Sequence, residues 1–210
     1  MNLRSVLLVT SLLFLSALFF QSSEVSARNE FQEEEVIVGA NLALSGGAAR
    51  YGQWAMRGIE LAVQTHNEQR KPKEKRIRVV YEDNQSSPAL AVTAYKKLRN
   101  LNKVHHVLTM QSSVALAVAP LANRDNVIQI DVSATTPKYS SLNDYTFRIG
   151  IVATELAAAA ASLIYEKLQY KKVATLYIEN DFGEGMLQSF RNSFQGEIVS
   201  TETFSETERD

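Results

Sequence analysis

The sequence predicts an α/β protein built on parallel sheet, and three observations predict it. Short apolar strands alternate with amphipathic helices along residues 35–203 at the spacing of βαβ units. Two neighbouring strands each end in a hydroxyl-rich loop, at residues 110–113 and 132–137. Hydrophobic residues make up 45% of the 210, ample for a packed core.

The elements follow in order. Residues 35–42 (EVIVGANL) form a strand, and Gly46-Gly47 marks a tight loop after it. Residues 52–69 form a helix with Ala55, Ile59, Ala62, Val63 and His66 on one face. The charged turn 70–76 (RKPKEKR) reads as a solvated loop rather than a nucleic-acid patch. Strand 77–82 and loop 83–88 come next. Ser87 is placed to cap a helix with Pro88 at its first position, running to Asn102 with Ala91, Ala94, Tyr95, Leu98 and Leu101 inward. Strand 104–109, helix 114–124 and strand 127–131 follow. A loop at 138–144 leads to a short strand, 145–149, and an Ala-rich helix, 153–167. Strand 172–178, loop 179–185, a helix with Met186, Leu187, Phe190 and Phe194 on one face, and strand 197–203 complete the series. Asp181 and Glu184 have the spacing of a capping box. Residues 205–210 carry no further element.

The chemistry concentrates at two strand ends. One loop delivers Ser112 and Ser113 to a helix start; the other carries Ser133, Thr135 and Thr136. In an open α/β sheet, ligands bind beyond the carboxyl ends of the strands, and a helix start there offers unpaired N–H groups to an anion. A small carboxylate or zwitterion needs no charged side chain in such a place. The same residues also have simpler uses: Ser112 and Ser113 as helix caps, Thr135 and Thr136 as turn residues before Pro137. Trp54 is expected in the core. Phe182, at a helix start, is expected to pack.

The N-terminus reads as a Sec-type signal peptide, residues 1–27: a basic start, an apolar run at 6–20, and Val25-Ser26-Ala27 before the cut. That run is short of the ~20 residues of a membrane-spanning helix. Residues 28–34 would be a polar mature tail. Without Cys there is neither a disulfide framework nor a lipid-bearing N-terminal cysteine, and the bacterial periplasm fits as the destination.

Several classes lack an anchor. With Lys+Arg 22 against Asp+Glu 23, nothing electrostatic calls for nucleic acid. There is no G-x-S-x-G elbow and no P-loop, and Gly183-Glu184-Gly185 lacks the third glycine of a dinucleotide loop. His105 and His106 are adjacent in a strand and point to opposite faces, so no metal is expected. No cofactor is implied. Asp83 could imitate a ribose-binding acid, but ordering its own loop is the simpler role. Asn84-Gln85-Ser86 is a lone glycosylation sequon.

Taken together, VIVGANLALSGGAARYGQWAMRGIELAV, VVYEDNQSSPALAVTAYKKL, QSSVALAVAPLANRDNVIQIDVSATTP, FRIG and YIENDFGEGM give the chain a resemblance. It resembles the type I periplasmic binding fold, and within it the branched-chain amino-acid (Leu/Ile/Val) binding proteins of ABC importers. The resemblance implies two doubly wound parallel-sheet lobes joined by a hinge, the first over residues 35–145 and the second beginning at 146. It implies a fold half as long again, so the rest of lobe two, an acidic partner for a ligand ammonium and the returning strands would lie beyond Asp210. It implies capture without catalysis, with a permease and ATPase as partners and no membrane insertion after signal cleavage. A ligand-sensing module on the same fold is the alternative. Residue by residue, Ser112 and Thr135 match hydroxyls that grip a carboxylate, helped by the backbone at Ser113. Ala134 or Ser133 matches a carbonyl that accepts from an ammonium. Tyr51 matches an aromatic beside the ligand side chain. Phe182 matches a second-lobe aromatic, often Tyr, whose hydroxyl is lost here.

Overall fold

The structure is a computed structural model that describes residues 35–141 and 145–205. The expected signal peptide and tail, and residues 206–210, lie outside the described residues.

Five strands form the first sheet: β1 (Glu35–Leu42), β2 (Arg76–Asp83), β3 (His106–Thr109), β4 (Ile128–Asp131) and β5 (Thr146–Arg148). All are parallel, in the order β2-β1-β3-β4-β5. The chain winds from β1 to β2 on one side, then crosses to β3 on the other. The switch point therefore lies between the carboxyl ends of β1 and β3, where ligands bind in folds of this kind.

Helices cover both faces of the sheet. On one face α1 (Ala49–Gln69) lays Ala55, Met56 and Ile59 on Ala40, Leu42 and Met110. On the other, α2 (Pro88–Asn100) and α3 (Ser112–Arg124) bury Ala91, Tyr95, Leu98, Val114, Val118 and Ala122 against Val104, Val107 and Val127. A 3₁₀ turn, Pro137–Ser141, places Tyr139 on Ala115 and Ala119 of α3.

The second sheet has two parallel strands, β6 (Lys172–Ile178) and β7 (Glu197–Phe204). It is accompanied by α4 (Ala153–Ser162), which widens into a π turn at Leu163–Lys167, and by α5 (Asp181–Ser193). β5 pairs with β4, so the five-stranded sheet runs through Arg148.

Several expectations need correction. Helices α1 and α3 begin at Ala49 and Ser112, three and two residues ahead of the predicted starts at 52 and 114, and α5 begins at Asp181 with Phe182 in its first turn as expected. Two glycines explain part of this. A Cβ on Gly52 would stand 1.9 Å from the Ala43 carbonyl oxygen, and one on Gly183 would stand 1.9 Å from that of Ile178. Each glycine lets a helix start press onto the strand end before it, so what reads locally as loop becomes the first turn. The cap of α5 is Asn180, whose side chain accepts from the Gly183 N–H at 3.0 Å, and not the Asp181–Glu184 box. α2 ends at Asn100, which leaves Leu101 72% exposed, and Ala62 is exposed on α1. Trp54 is 55% exposed rather than core. Ser87 does cap α2, accepting from Leu90 N–H.

Candidate functional site at the ends of β1, β3 and β4

The site is built at the start of α3. Its N-cap, Gln111, has φ 85° and ψ 141°, a backbone conformation that is costly for a residue with a Cβ. Nothing in the side chain of Gln111 caps the helix. The N–H groups of Ser112, Ser113 and Val114 precede the first i→i−4 bond, which Ala115 makes to the Gln111 carbonyl at 2.9 Å. They are donors at the positive end of the helix dipole.

The β4 loop is drawn to this helix start. Ser112, buried, accepts through Oγ from the N–H groups of Thr135 (3.3 Å) and Thr136 (3.4 Å). With its acceptor side facing those donors, the Ser112 hydroxyl keeps its proton for an outside acceptor. The Thr135 hydroxyl is buried and unpartnered among the described residues. Exposed Ser133 accepts through Oγ from the Gln111 N–H at 3.1 Å. The two loops thus bring Ser112, Ser113, Ser133, Ala134 and Thr135 together, and Ser112 begins the helix instead of capping it.

Beneath them lies a buried polar network that periodicity alone does not reveal. Asp131 accepts from Thr109 Oγ1 at 2.8 Å and from the N–H groups of Ser133 (2.8 Å) and Ala134 (2.5 Å). Gln129 Nε2 donates to Thr109 Oγ1 (3.0 Å) and to the Ala115 carbonyl (3.1 Å). Burial pushes the Asp131 carboxyl above the usual range, against those hydrogen bonds and the charge of Arg148. The sequence signal was a carboxylate closing a strand of otherwise buried pattern.

Arg148 distinguishes the carbonyls of Ala134 and Ser133. Its Nη1 donates to the Ala134 carbonyl at 2.9 Å. The Ser133 carbonyl has no hydrogen-bond partner among the described residues.

The loop after β1 is held from β2. Asp83 accepts from the N–H groups of Leu44 (2.9 Å), Ser45 (3.2 Å) and Gln85 (2.9 Å), and from Ser45 Oγ (2.5 Å). Burial works to raise its pKa, but these hydrogen bonds prevail and hold the carboxyl below its ordinary value. The loop-ordering role for Asp83 stands. The asparagine of the adjacent sequon is buried: Asn84 donates to Asn41 Oδ1 at 3.0 Å.

The two aromatics take equivalent places. Tyr51 precedes Gly52 in the first turn of α1, and Phe182 precedes Gly183 in the first turn of α5. They are 60% and 44% exposed, and Tyr51 packs edge-on against Trp54 at 5.6 Å. No hydrogen bond joins Tyr51 to the hydroxyl cluster. Phe182 is brought near it by its neighbour, since the Asp181 N–H donates to Ser113 Oγ at 3.3 Å. Lys138 adds a second contact between the units, 3.4 Å from Asp181 Oδ1 and 3.7 Å from Glu184 Oε2.

A depression of about 530 Å³ lies beside this place, lined by Thr136, Thr154, Tyr177, Glu184 and Leu187 among others. It touches none of the seven expected site residues, and the hydroxyl cluster carries the chemistry better. Among the described residues no group of three or more His, Asp or Glu could hold a metal, and no helix is long and apolar enough to cross a membrane.

Residues 35–210 match the periplasmic binding protein family. The chain belongs to that family. It has the type I fold, with the parallel α/β architecture the resemblance implied. It is similar to the Leu/Ile/Val-binding protein of Escherichia coli K12, 23% identical over 163 residues, which are 77% of this chain and 44% of that protein. Among solved structures it is similar to the Streptococcus pneumoniae branched-chain amino acid transporter substrate binding protein LivJ in complex with isoleucine. The identity is 32%, the TM-score 0.77, and the match covers 84% of this chain and 51% of that one. It is also similar to a Rhodopseudomonas palustris solute binding protein in complex with benzoate, at 27% identity and TM-score 0.75, over 83% and 49%. The chain spans about half the length of the relatives it matches, a smaller share than the resemblance implied.

Proposed function

We propose that this periplasmic binding protein captures a small carboxylate with an apolar body, branched-chain amino acids first, for an ABC importer, without catalysis. The observation that carries this is the uncapped start of α3, where the Ser112 hydroxyl has its acceptor side turned to Thr135 and Thr136 and its proton left to give. A carboxylate there meets helix N–H groups, the dipole and the hydroxyls of Ser112 and Thr135. The Ser133 carbonyl accepts from an ammonium when the ligand has one. Tyr51 and Phe182 supply an apolar wall from the two units. The similar proteins solved with isoleucine and with benzoate support the shared chemistry, a carboxylate on an apolar body. The ammonium is the part that differs between them.

The two lobes are the five-stranded and two-stranded units, and the crossover after β5 is part of the hinge. The closed form would be read outside the cytoplasm by a permease that is coupled to an ATPase. One methylene in an apolar pocket discriminates by only about 1–3 kcal/mol, so related aliphatic solutes would share the site.

The test is a thermal melt of the chain from Arg28 onward with leucine, isoleucine, valine, their amides and benzoate. A ligand at a hundredfold excess over its Kd adds about 2.7 kcal/mol of stability. A melt raised by the amino acids supports the branched-chain assignment, and one raised only by benzoate replaces it with an aromatic acid. A cooperative melt that none of them moves rejects the function.

A further inference from the structure

We infer that Arg148 is a positioning residue that ties the ligand-gripping loop, residues 133–136, to the crossover between the two units. This rests on the capture function proposed above and deepens it.

The loop is strung between two sets of partners. Its N–H groups all face the five-stranded unit: those of Ser133 and Ala134 go to Asp131 Oδ1, and those of Thr135 and Thr136 go to Ser112 Oγ. Three successive carbonyls are held from the two ends of the crossover, by Arg148 at the end of β5 and by Ala153 at the start of α4. Arg148 Nη1 donates to Ala134 O at 2.9 Å, the Ala153 N–H donates to Thr135 O at 2.8 Å, and Arg148 Nη2 donates to Thr136 O at 2.9 Å. Arg148 ends β5, and Ala153 begins α4 on the far side of the crossover. The guanidinium also reaches Ser140 Oγ at 2.9 Å and lies over the Tyr139 ring, 5.3 Å from its centre.

Thr135 sits between the two carbonyls that one guanidinium holds. Its own carbonyl is held by Ala153 beyond the crossover, so rotating the crossover moves the peptide that presents the Thr135 hydroxyl, while Arg148, paired in β5, fixes the carbonyls on either side. Closure and grip become one motion instead of two. The fork is needed because a lysine ammonium is a single point charge and cannot span Ala134 O and Thr136 O with the same geometry.

The test compares the parent chain with Arg148→Lys, Arg148→Ala and a control, Val104→Ala, which thins the buried core away from the loop. Amide hydrogen exchange at residues 133–136 is read against β1, and calorimetry gives the Kd for isoleucine and benzoate. In Arg148→Lys the four amides should exchange faster than in the parent while β1 holds, and the Kd should rise about tenfold or more, the scale of a lost charge-assisted hydrogen bond. Millimolar guanidinium should restore both readouts in Arg148→Ala. Val104→Ala should lower the melt and leave loop exchange and Kd alone. Unchanged loop exchange in Arg148→Lys, or faster exchange with parental affinity, overturns the proposal. If the parent binds neither probe, the capture function fails separately. Loop exchange and its guanidinium rescue then decide whether the tie exists.

Discussion

The starts of α3 and α5 face each other across the two units, and they are finished in opposite ways. At α3 no side chain caps the helix, the first turn has no acid, and the residue before it is held at φ 85°. At α5 Asn180 takes up the Gly183 N–H, and Asp181 and Glu184 bring negative charge to the first turn. An uncapped start is an anion site in waiting; a capped, acid-bearing one has its dipole already answered. So α5 meets the first unit through contacts, Asp181 with Ser113 and Lys138, while the start of α3 stays uncapped, as the proposed capture of a carboxylate requires. Under the proposed function, helix starts that look alike in the chain divide between gripping and latching.

Beneath the difference lies a shared construction, and it gives the largest expected effect. Gly52→Ala and Gly183→Ala should each cost about 3 kcal/mol or more, because the new methyl meets a backbone carbonyl that must move. Chemical denaturation would measure both. A small loss at either would mean that the two units do not share this packing. Gly58, also in α1, has nothing within 4 Å of its would-be Cβ, so Gly58→Ala should raise stability by about 1 kcal/mol in the same experiment.

Asn180→Ala sharpens the contrast between the two helix starts. It should lower stability by about 1 kcal/mol and leave isoleucine or benzoate affinity unchanged, since its cap serves only the fold. A loss of affinity with no loss of stability would reverse the roles assigned to α3 and α5.

The smallest effect is that of pH. The Asp83 carboxyl is held below its ordinary value, so its contribution is present above the unfolded value near pH 4 and is lost as pH falls through the folded one. The carboxyl carbon shift of Asp83, followed by NMR from neutral pH downward, should titrate below the model carboxylate. Asp83→Asn should flatten the acid side of the melt. A titration at or above the ordinary value would show that the hydrogen bonds from Leu44, Ser45 and Gln85 do not hold the loop after β1.

Much of this was legible in the chain. The order of strands and helices, the Ser87 cap and the meeting of two hydroxyl loops all follow from local pattern. The starts of α1 and α3 precede the predicted ones because Gly and Ser signal turns locally, while the pull of a strand end on Gly52 and Gly183 is visible only in three dimensions. Trp54 reads as core by composition, yet it lies beside Tyr51 on the exposed side of α1. Arg148 stood in a quoted motif without a role, since its partners lie 8 to 14 residues away and only the pairing of β5 with β4 brings them together. Asp131 and Gln129 were hidden for the same reason. Their alternation reads as strand, and their partners come from β3 and α3.

The central claim is that the start of α3 grips a carboxylate, and calorimetry on Ser112→Ala and Thr135→Ala tests it most directly. With isoleucine or benzoate as ligand, each should weaken binding by about 1–3 kcal/mol, the range for a charged acceptor that loses a donor. Parental affinity in both variants would contradict the account and move the ligand away from α3.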